Sequence, residues 1–200
     1  MPELNFKIYR AVNPKLENTS TLKKYHNTMR PPANVPYLVD NLWELVRPKN
    51  YPNRRHSVFA SPTPELALQA AGGGTVYTVE FKGKYKLCQV KNSKDSRYHP
   101  DCKSLKKFLP RLYKDRFEQD WINSKLSEKE DFGKLWIPCL TRNELNFLFG
   151  SNEKLRKIKK DICNAVTYWN DVVLIKNGNG LPDPEGELFF EAEDGYYLKS

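Results

Sequence analysis

Residues 57–81 read SVFASPTPELALQAAGGGTVYTVEF. Ser57–Ala60 is a short apolar run, the pattern of a buried strand. Thr63 follows as a helix N-cap, with Pro64 at the first helical position, where its missing N–H costs nothing, and Glu65 in the first turn. The segment ELALQAA carries the helix to Gly72-Gly73-Gly74, a strong stop. Thr75–Phe81 is rich in β-branched and aromatic residues, with Val79 and Phe81 flanking Glu80, and predicts a second strand. A strand, a capped helix and a strand within 25 residues place the chain in the α+β class.

Outward from this segment, Lys84–Val90 reads as the hairpin partner of Thr75–Phe81 across Lys82-Gly83. Toward the N-terminus, Asn5–Val12 alternates, with Phe6 and Ile8 on one face and Lys7 and Tyr9 on the other, until Asn13-Pro14 breaks the strand. Residues 15–56 are irregular and rich in proline, except Tyr37–Val46, whose Leu38, Leu42, Leu45 and Val46 share helical spacing. Pro48 stops that helix.

Toward the C-terminus, Leu105, Phe108, Leu109, Leu112 and Tyr113 share one helical face in a segment interrupted by Pro110. Ser151 caps a further helix, with Leu155, Ile158, Ile162 and Val166 inward and Lys154, Arg156, Lys157, Lys159 and Lys160 outward. Val172–Lys176 is a strand, and Asn177–Gly186 is a loop of turn formers. Leu188–Glu191 and Tyr196–Leu198 predict a closing hairpin around Glu193-Asp194-Gly195. The expected architecture is a small mixed split sheet with flanking helices, in a single domain over residues 1–200 that carries a helical insertion at about residues 100–168.

Composition narrows the function classes. Hydrophobic residues make up 39% and the chain holds 25 Phe, Tyr and Trp, too many for a disordered chain. The net charge of +9 favours polyanionic partners. No stretch of 18 apolar residues and no secretory leader occur, which predicts a cytoplasmic protein with no membrane association. Cys88, Cys102, Cys139 and Cys163 are widely spaced and read as buried thiols in a reducing compartment. His99-Pro100-Asp101-Cys102 lacks a second His/Cys pair at ligand spacing, so no metal site is expected. Gly72–Gly74 follows a helix, so the helix dipole points the wrong way for a phosphate loop.

Three features in chain order carry chemistry: Arg10 near the end of the first strand, Ser61-Pro62-Thr63 at a strand-to-helix junction, and Glu185-Gly186-Glu187 ahead of the last hairpin. Arg55 and His56, in the turn that leads into Ser57–Ala60, add cationic and imidazole groups. This order resembles the Arg-Ser-Glu class of ADP-ribosyltransferases, and VFASPTPELAL resembles that family's strand, Ser-Thr-Ser segment and following helix. The middle of that segment is Pro62 here, and its third residue is Thr63.

The resemblance implies an ADP-ribosyltransferase-like fold and NAD as substrate. Arg10, Ser61 and Thr63 would bind NAD, with Arg55 and His56 approaching its phosphates from the rim. Ser61 would brace the catalytic glutamate, Glu187 would stabilise the oxocarbenium-like ribose, and Glu185 would activate or orient the acceptor. The chemistry suits these residue types. A fixed carboxylate stabilises positive charge developing on a sugar carbon, and an arginine fork matches a pyrophosphate. The acceptor would be a protein or a nucleic acid, and a toxin or effector of this kind would have a neutralising antitoxin. Two alternatives stand beside it. One is an NAD glycohydrolase of the RES-toxin type. The other is a non-catalytic nucleic-acid-binding module using the basic helix at 154–160 with Tyr168 and Trp169.

Overall fold

The computed structural model describes residues 4–18, 21–23, 28–176 and 180–200. In chain order the elements are β1 (Tyr9–Val12), α1 (Tyr37–Val46), β2 (Val58–Ala60), α2 (Pro64–Ala71), β3 (Thr75–Phe81), β4 (Tyr85–Val90), α3 (Asp101–Phe117), α4 (Leu126–Gly133), α5 (Arg142–Ser151), α6 (Glu153–Ala165), α7 (Tyr168–Asp171), β5 (Val172–Ile175), β6 (Leu188–Ala192) and β7 (Tyr196–Lys199). The fold is α+β. It divides into a β-rich unit, made of the chain up to Met29, Lys49–Tyr98 and the chain from Asn170, and a helical unit, made of Arg30–Pro48 and His99–Trp169. The first three residues of the loop 177–186 lie outside the described residues.

The β-rich unit has two sheets, ordered β1-β3-β7 and β2-β6-β4-β5. All five ladders among the described residues are antiparallel, so the expected mixed sheet is replaced by two antiparallel ones. A parallel pair needs a crossover within one sheet. Here β2, α2 and β3 follow one another, but β2 and β3 belong to different sheets. The sheets meet where Tyr9 and Ser61 exchange both backbone hydrogen bonds, each at 2.8 Å. Ile8, Tyr77, Val79, Leu87, Phe190 and Leu198 are part of the core of this unit.

Neither expected hairpin forms. β4 pairs with β5 and β6 instead of β3, and β7 pairs with β3 instead of β6. At both corners the chain crosses from one sheet to the other. Gly83 and Gly195 take left-handed φ values of +76° and +93° there. The corners bind each other: Lys84 N donates to the Asp194 carboxylate (2.9 Å), Lys82 N to Gly195 O (2.9 Å) and Glu193 N to Lys84 O (2.9 Å). A Cβ on Gly83 would stand 2.7 Å from that of Asp194. Alternation identifies a strand, but its partner is set by which edges are open and which faces are buried.

In the helical unit, α1 is almost wholly buried, including Asn41. The Asn41 amide donates to Leu135 O (2.8 Å) and Ile137 O (2.7 Å) and accepts from Leu140 N (3.2 Å). This network satisfies backbone groups in an irregular segment. α3 runs through Pro110 and buries Leu105, Leu109, Leu112 and Tyr113. α6 is capped by Asn152, which accepts from Leu155 N at 2.9 Å, whereas Ser151 is the last residue of α5. An Asn side chain beside Ser competes for the same capping role. β1 begins at Tyr9, later than the alternation from Asn5 predicts, although Ile8 is fully buried. Among the described residues no helix is long and apolar enough to cross a membrane.

Candidate active site where the two sheets meet

β2 and β6 pair as Val58↔Phe190, Phe59↔Phe189 and Ala60↔Leu188. Ala60↔Leu188 is the last pair of that antiparallel ladder; Ser61 directly follows Ala60, and Glu187 directly precedes Leu188. Ser61 also faces Tyr9 of β1, and Arg10 is the next residue along β1. With strand neighbours about 5 Å apart, the backbones of Arg10, Ser61 and Glu187 lie within roughly 15 Å of one another. Arg10 reaches toward β2, donating from Nη1 to Phe59 O at 2.8 Å.

Glu187 is held from both ends. Its backbone N–H donates to Ser93 O (2.8 Å) and its carbonyl accepts from Val90 N (2.9 Å). One carboxylate oxygen accepts a short hydrogen bond from the Ser96 hydroxyl, a second from Ser96 N (3.3 Å) and a third from Arg54 Nη1 (3.4 Å). The Arg54 guanidinium lies 5.0 Å from the Phe59 ring centre and 5.2 Å from that of Phe189. The pair is largely buried, with 9% of the Arg54 side chain and 14% of the Glu187 side chain exposed. Burial pushes the Glu187 carboxyl above its ordinary range, against the pull of Arg54 and Ser96, and Asp95 adds to the rise.

The turn before β2 aims Arg54. Asn53 N donates to Glu191 of β6 at 2.8 Å, and the Asn53 side chain accepts from Arg55 N at 3.0 Å. Asn53 O accepts from His56 N (3.0 Å) and from the Ser57 hydroxyl (2.7 Å). Arg55 itself is buried and His56 is partly buried. In a run of two arginines the sequence does not tell which one faces the carboxylate; here Arg54 does.

The loop before Glu187 is fastened by Gln89 of β4, which is fully buried. Its amide nitrogen donates to Asp183 O (2.6 Å) and Gly186 O (3.0 Å), and its oxygen accepts from Asp183 N (3.1 Å). Gly186 packs so closely that a Cβ there would run into Val90 O and stand 3.1 Å from the Gln89 side chain. Ser96, Arg54 and Gln89 escaped the sequence reading because no motif marks them. A serine in a 3₁₀ turn at Ser96–Tyr98 carries no signal of its own.

Other sequence candidates stand apart from this cluster. Thr63 caps α2, accepting from Leu66 N at 3.3 Å. Glu185 is exposed and pairs with Lys94 at 3.2 Å. In the helical unit, Asp101 accepts from Trp43 Nε1 (2.9 Å), the Thr167 hydroxyl (2.7 Å) and Tyr168 N (3.0 Å), with buried His99 edge-on to Trp43 and Tyr168. That makes His99-Pro100-Asp101-Cys102 a packing element. Tyr168 is fully buried and stacks on Trp43 at 3.9 Å, so it presents no open face for a nucleic-acid base, while Trp169 is partly buried and donates to Trp43 O at 2.8 Å. A cavity of about 370 Å³ in the helical unit is lined by Tyr113, Phe132, Asn152 and Lys154 among others, and by none of the Glu187 cluster.

The chain matches no family model, no curated protein and no solved structure.

Proposed function

We propose that the chain cleaves the bond between nicotinamide and ribose in NAD and transfers the ADP-ribose to a protein or nucleic-acid acceptor. The observation that carries this reading is Glu187, a largely buried carboxylate gripped by Ser96 and Arg54, next to the Ala60↔Leu188 pair that Ser61 adjoins. As the glycosidic bond breaks, its electron pair leaves with nicotinamide and positive charge develops on the ribose carbon. Glu187, ionised and fixed, stabilises that charge, and fixed charges work best where water is excluded. Ser96 acts as the brace that the family resemblance assigns to Ser61. Arg10, whose Nη1 donates to Phe59 O of β2, brings to the junction a guanidinium of the planar shape that matches a pyrophosphate. The acceptor nucleophile then attacks the ribose carbon and loses its proton.

Hydrolysis to free ADP-ribose is the second reading. It is favoured by the exposed, Lys94-paired position of Glu185, the carboxylate to which the family resemblance assigns acceptor activation. Under either reading the protein acts as a cytoplasmic toxin-like effector, and a neutralising antitoxin is its expected partner. Incubation of the purified chain with NAD labelled in the adenosine, with and without cell lysate, tests both. Label on a macromolecule supports transfer, free ADP-ribose supports hydrolysis, and intact NAD overturns both.

A further inference from the structure

We infer that the exposed face of α3 docks the phosphodiester backbone of a nucleic acid. Lys103, Lys106, Lys107 and Arg111 are all exposed. On a helical wheel Lys103, Lys107 and Arg111 fall opposite Leu105, Leu109, Leu112 and Tyr113, the buried face of the same helix, and Lys106 lies at the flank beside Tyr113. None of the four has an ion-pair partner among the described residues.

The cations of α6 differ. Lys157 pairs with Glu153 at 2.6 Å, Lys159 donates to Asn146 at 3.0 Å, and Lys154 donates to Gln119 and sits over the Tyr113 ring. Three of the five α6 cations therefore have partners within the chain, while Arg156 and Lys160 are exposed with no ion-pair partner among the described residues, like the α3 residues. The α3 stripe is left uncompensated in an arrangement that opposes helix formation. Lys103 and Lys107, and Lys107 and Arg111, are like-charged neighbours four residues apart, and Lys103 stands in the first turn, where the helix dipole repels a cation. A bound polyanion removes both conflicts.

The chemistry of the face selects the occupant. Its apolar side is spent on the core, so nothing remains to enter a lipid surface. Protein interfaces deplete charge at their centre, whereas the middle of this face is the row Lys103, Lys107 and Arg111. From Lys103 to Arg111 the helix rises about 12 Å, which spans roughly three to four phosphates of one strand. The inference stands independently of NAD cleavage at Glu187.

Anisotropy of a fluorescein-labelled, random-sequence duplex DNA, titrated with the full chain across a salt series, tests it. Four phosphate contacts give a slope of log affinity against log salt of about −3.6, and Lys103→Gln/Lys107→Gln/Arg111→Gln removes about 2.7 of that. The triple variant is expected to melt at or above wild type, because like-charge repulsion is relieved. A control pair, Lys157→Gln/Lys160→Gln, is expected to lose less slope than the triple variant. Salt-independent or absent DNA binding overturns the inference, as does a triple variant that keeps the wild-type slope or melts lower. Binding of polyglutamate or of phosphatidylserine vesicles in place of DNA also overturns it, and assigns the face to an acidic protein or a membrane. Glu187→Gln is expected to bind DNA as wild type does, which keeps this outcome separate from the NAD assay.

Discussion

Ser96 donates both its hydroxyl and its backbone N–H to one oxygen of Glu187. Two donors from one residue fix a carboxylate more firmly than one, because placing the backbone also places the hydroxyl. Ser96→Ala removes the hydroxyl and keeps the amide. A hydrogen bond to a charged group contributes about 1.5–3 kcal/mol, so NAD cleavage is expected to fall tenfold or more. The acid limb of the pH–rate profile is expected to move to higher pH, since the Ser96 hydrogen bond holds the Glu187 carboxyl down. An unchanged limb would show that Ser96 does not act on the catalytic carboxylate.

Glu187→Gln separates chemistry from stability. Loss of a preorganised electrostatic group typically costs about 10²–10³ in rate, and NAD cleavage is expected to fall at least that far. Stability is expected to move the other way. Folding raises the Glu187 carboxyl above its ordinary value of 4.5. Below that value the group is neutral in both states and adds nothing. As pH rises through the window up to the folded value, the unfolded chain loses its proton first and the folded state is penalised. The variant should therefore melt above wild type at neutral pH, with the gap closing near and below pH 4.5. A variant less stable than wild type at neutral pH would mean that Arg54, left without its carboxylate, dominates the balance.

At Gly186 the close approach of Val90 O and Gln89 leaves no room for a methyl group. Gly186→Ala is expected to destabilise the chain by about 1–3 kcal/mol, the usual cost of overpacking, and to lower NAD cleavage by shifting Glu187. Thermal melting and single-turnover cleavage measure the two effects. A melt within a degree of wild type would mean that the loop relaxes freely.

Asp101 is the buried acceptor that ties α3 to α1 and to the segment at 167–168. Asp101→Ala leaves the indole N–H of Trp43 and the N–H of Tyr168 without this acceptor. The expected cost is on the order of 3 kcal/mol or more, because unmade buried hydrogen bonds carry their full desolvation penalty. Urea unfolding followed by tryptophan fluorescence reads this directly. If added zinc changed the melting of wild type but not of the variant, His99 and Asp101 would have to be reassigned as metal ligands.

Local chemistry was legible in the sequence wherever one segment decides the outcome. The bounds of α1, the Thr63 cap and Gly72 stop of α2, and the extent of β3 follow from periodicity, capping and glycine alone. These signals depend on residues within a turn or two of each other, so no tertiary contact is needed to read them. Ser61 directly follows β2 and Glu187 directly precedes β6, whereas Arg10, expected near the end of the first strand, is the second residue of β1, because that strand begins only at Tyr9.

Only the tertiary structure decided strand partnership and the immediate surroundings of Glu187. Gly83 and Gly195 each look like hairpin turns, yet they are corners between sheets, because their geometry is completed by each other's backbone groups and by Asp194. Arg54 and Ser96 lie 133 and 91 residues from Glu187 in the chain. Their contacts arise from the β2–β6 pairing and from the turn that follows β4, and no local pattern encodes them. Exposure likewise distinguished α3 from α6. Both are rich in lysine, but only the fold shows that many of the α6 charges are answered within the chain while the α3 stripe faces water unpaired.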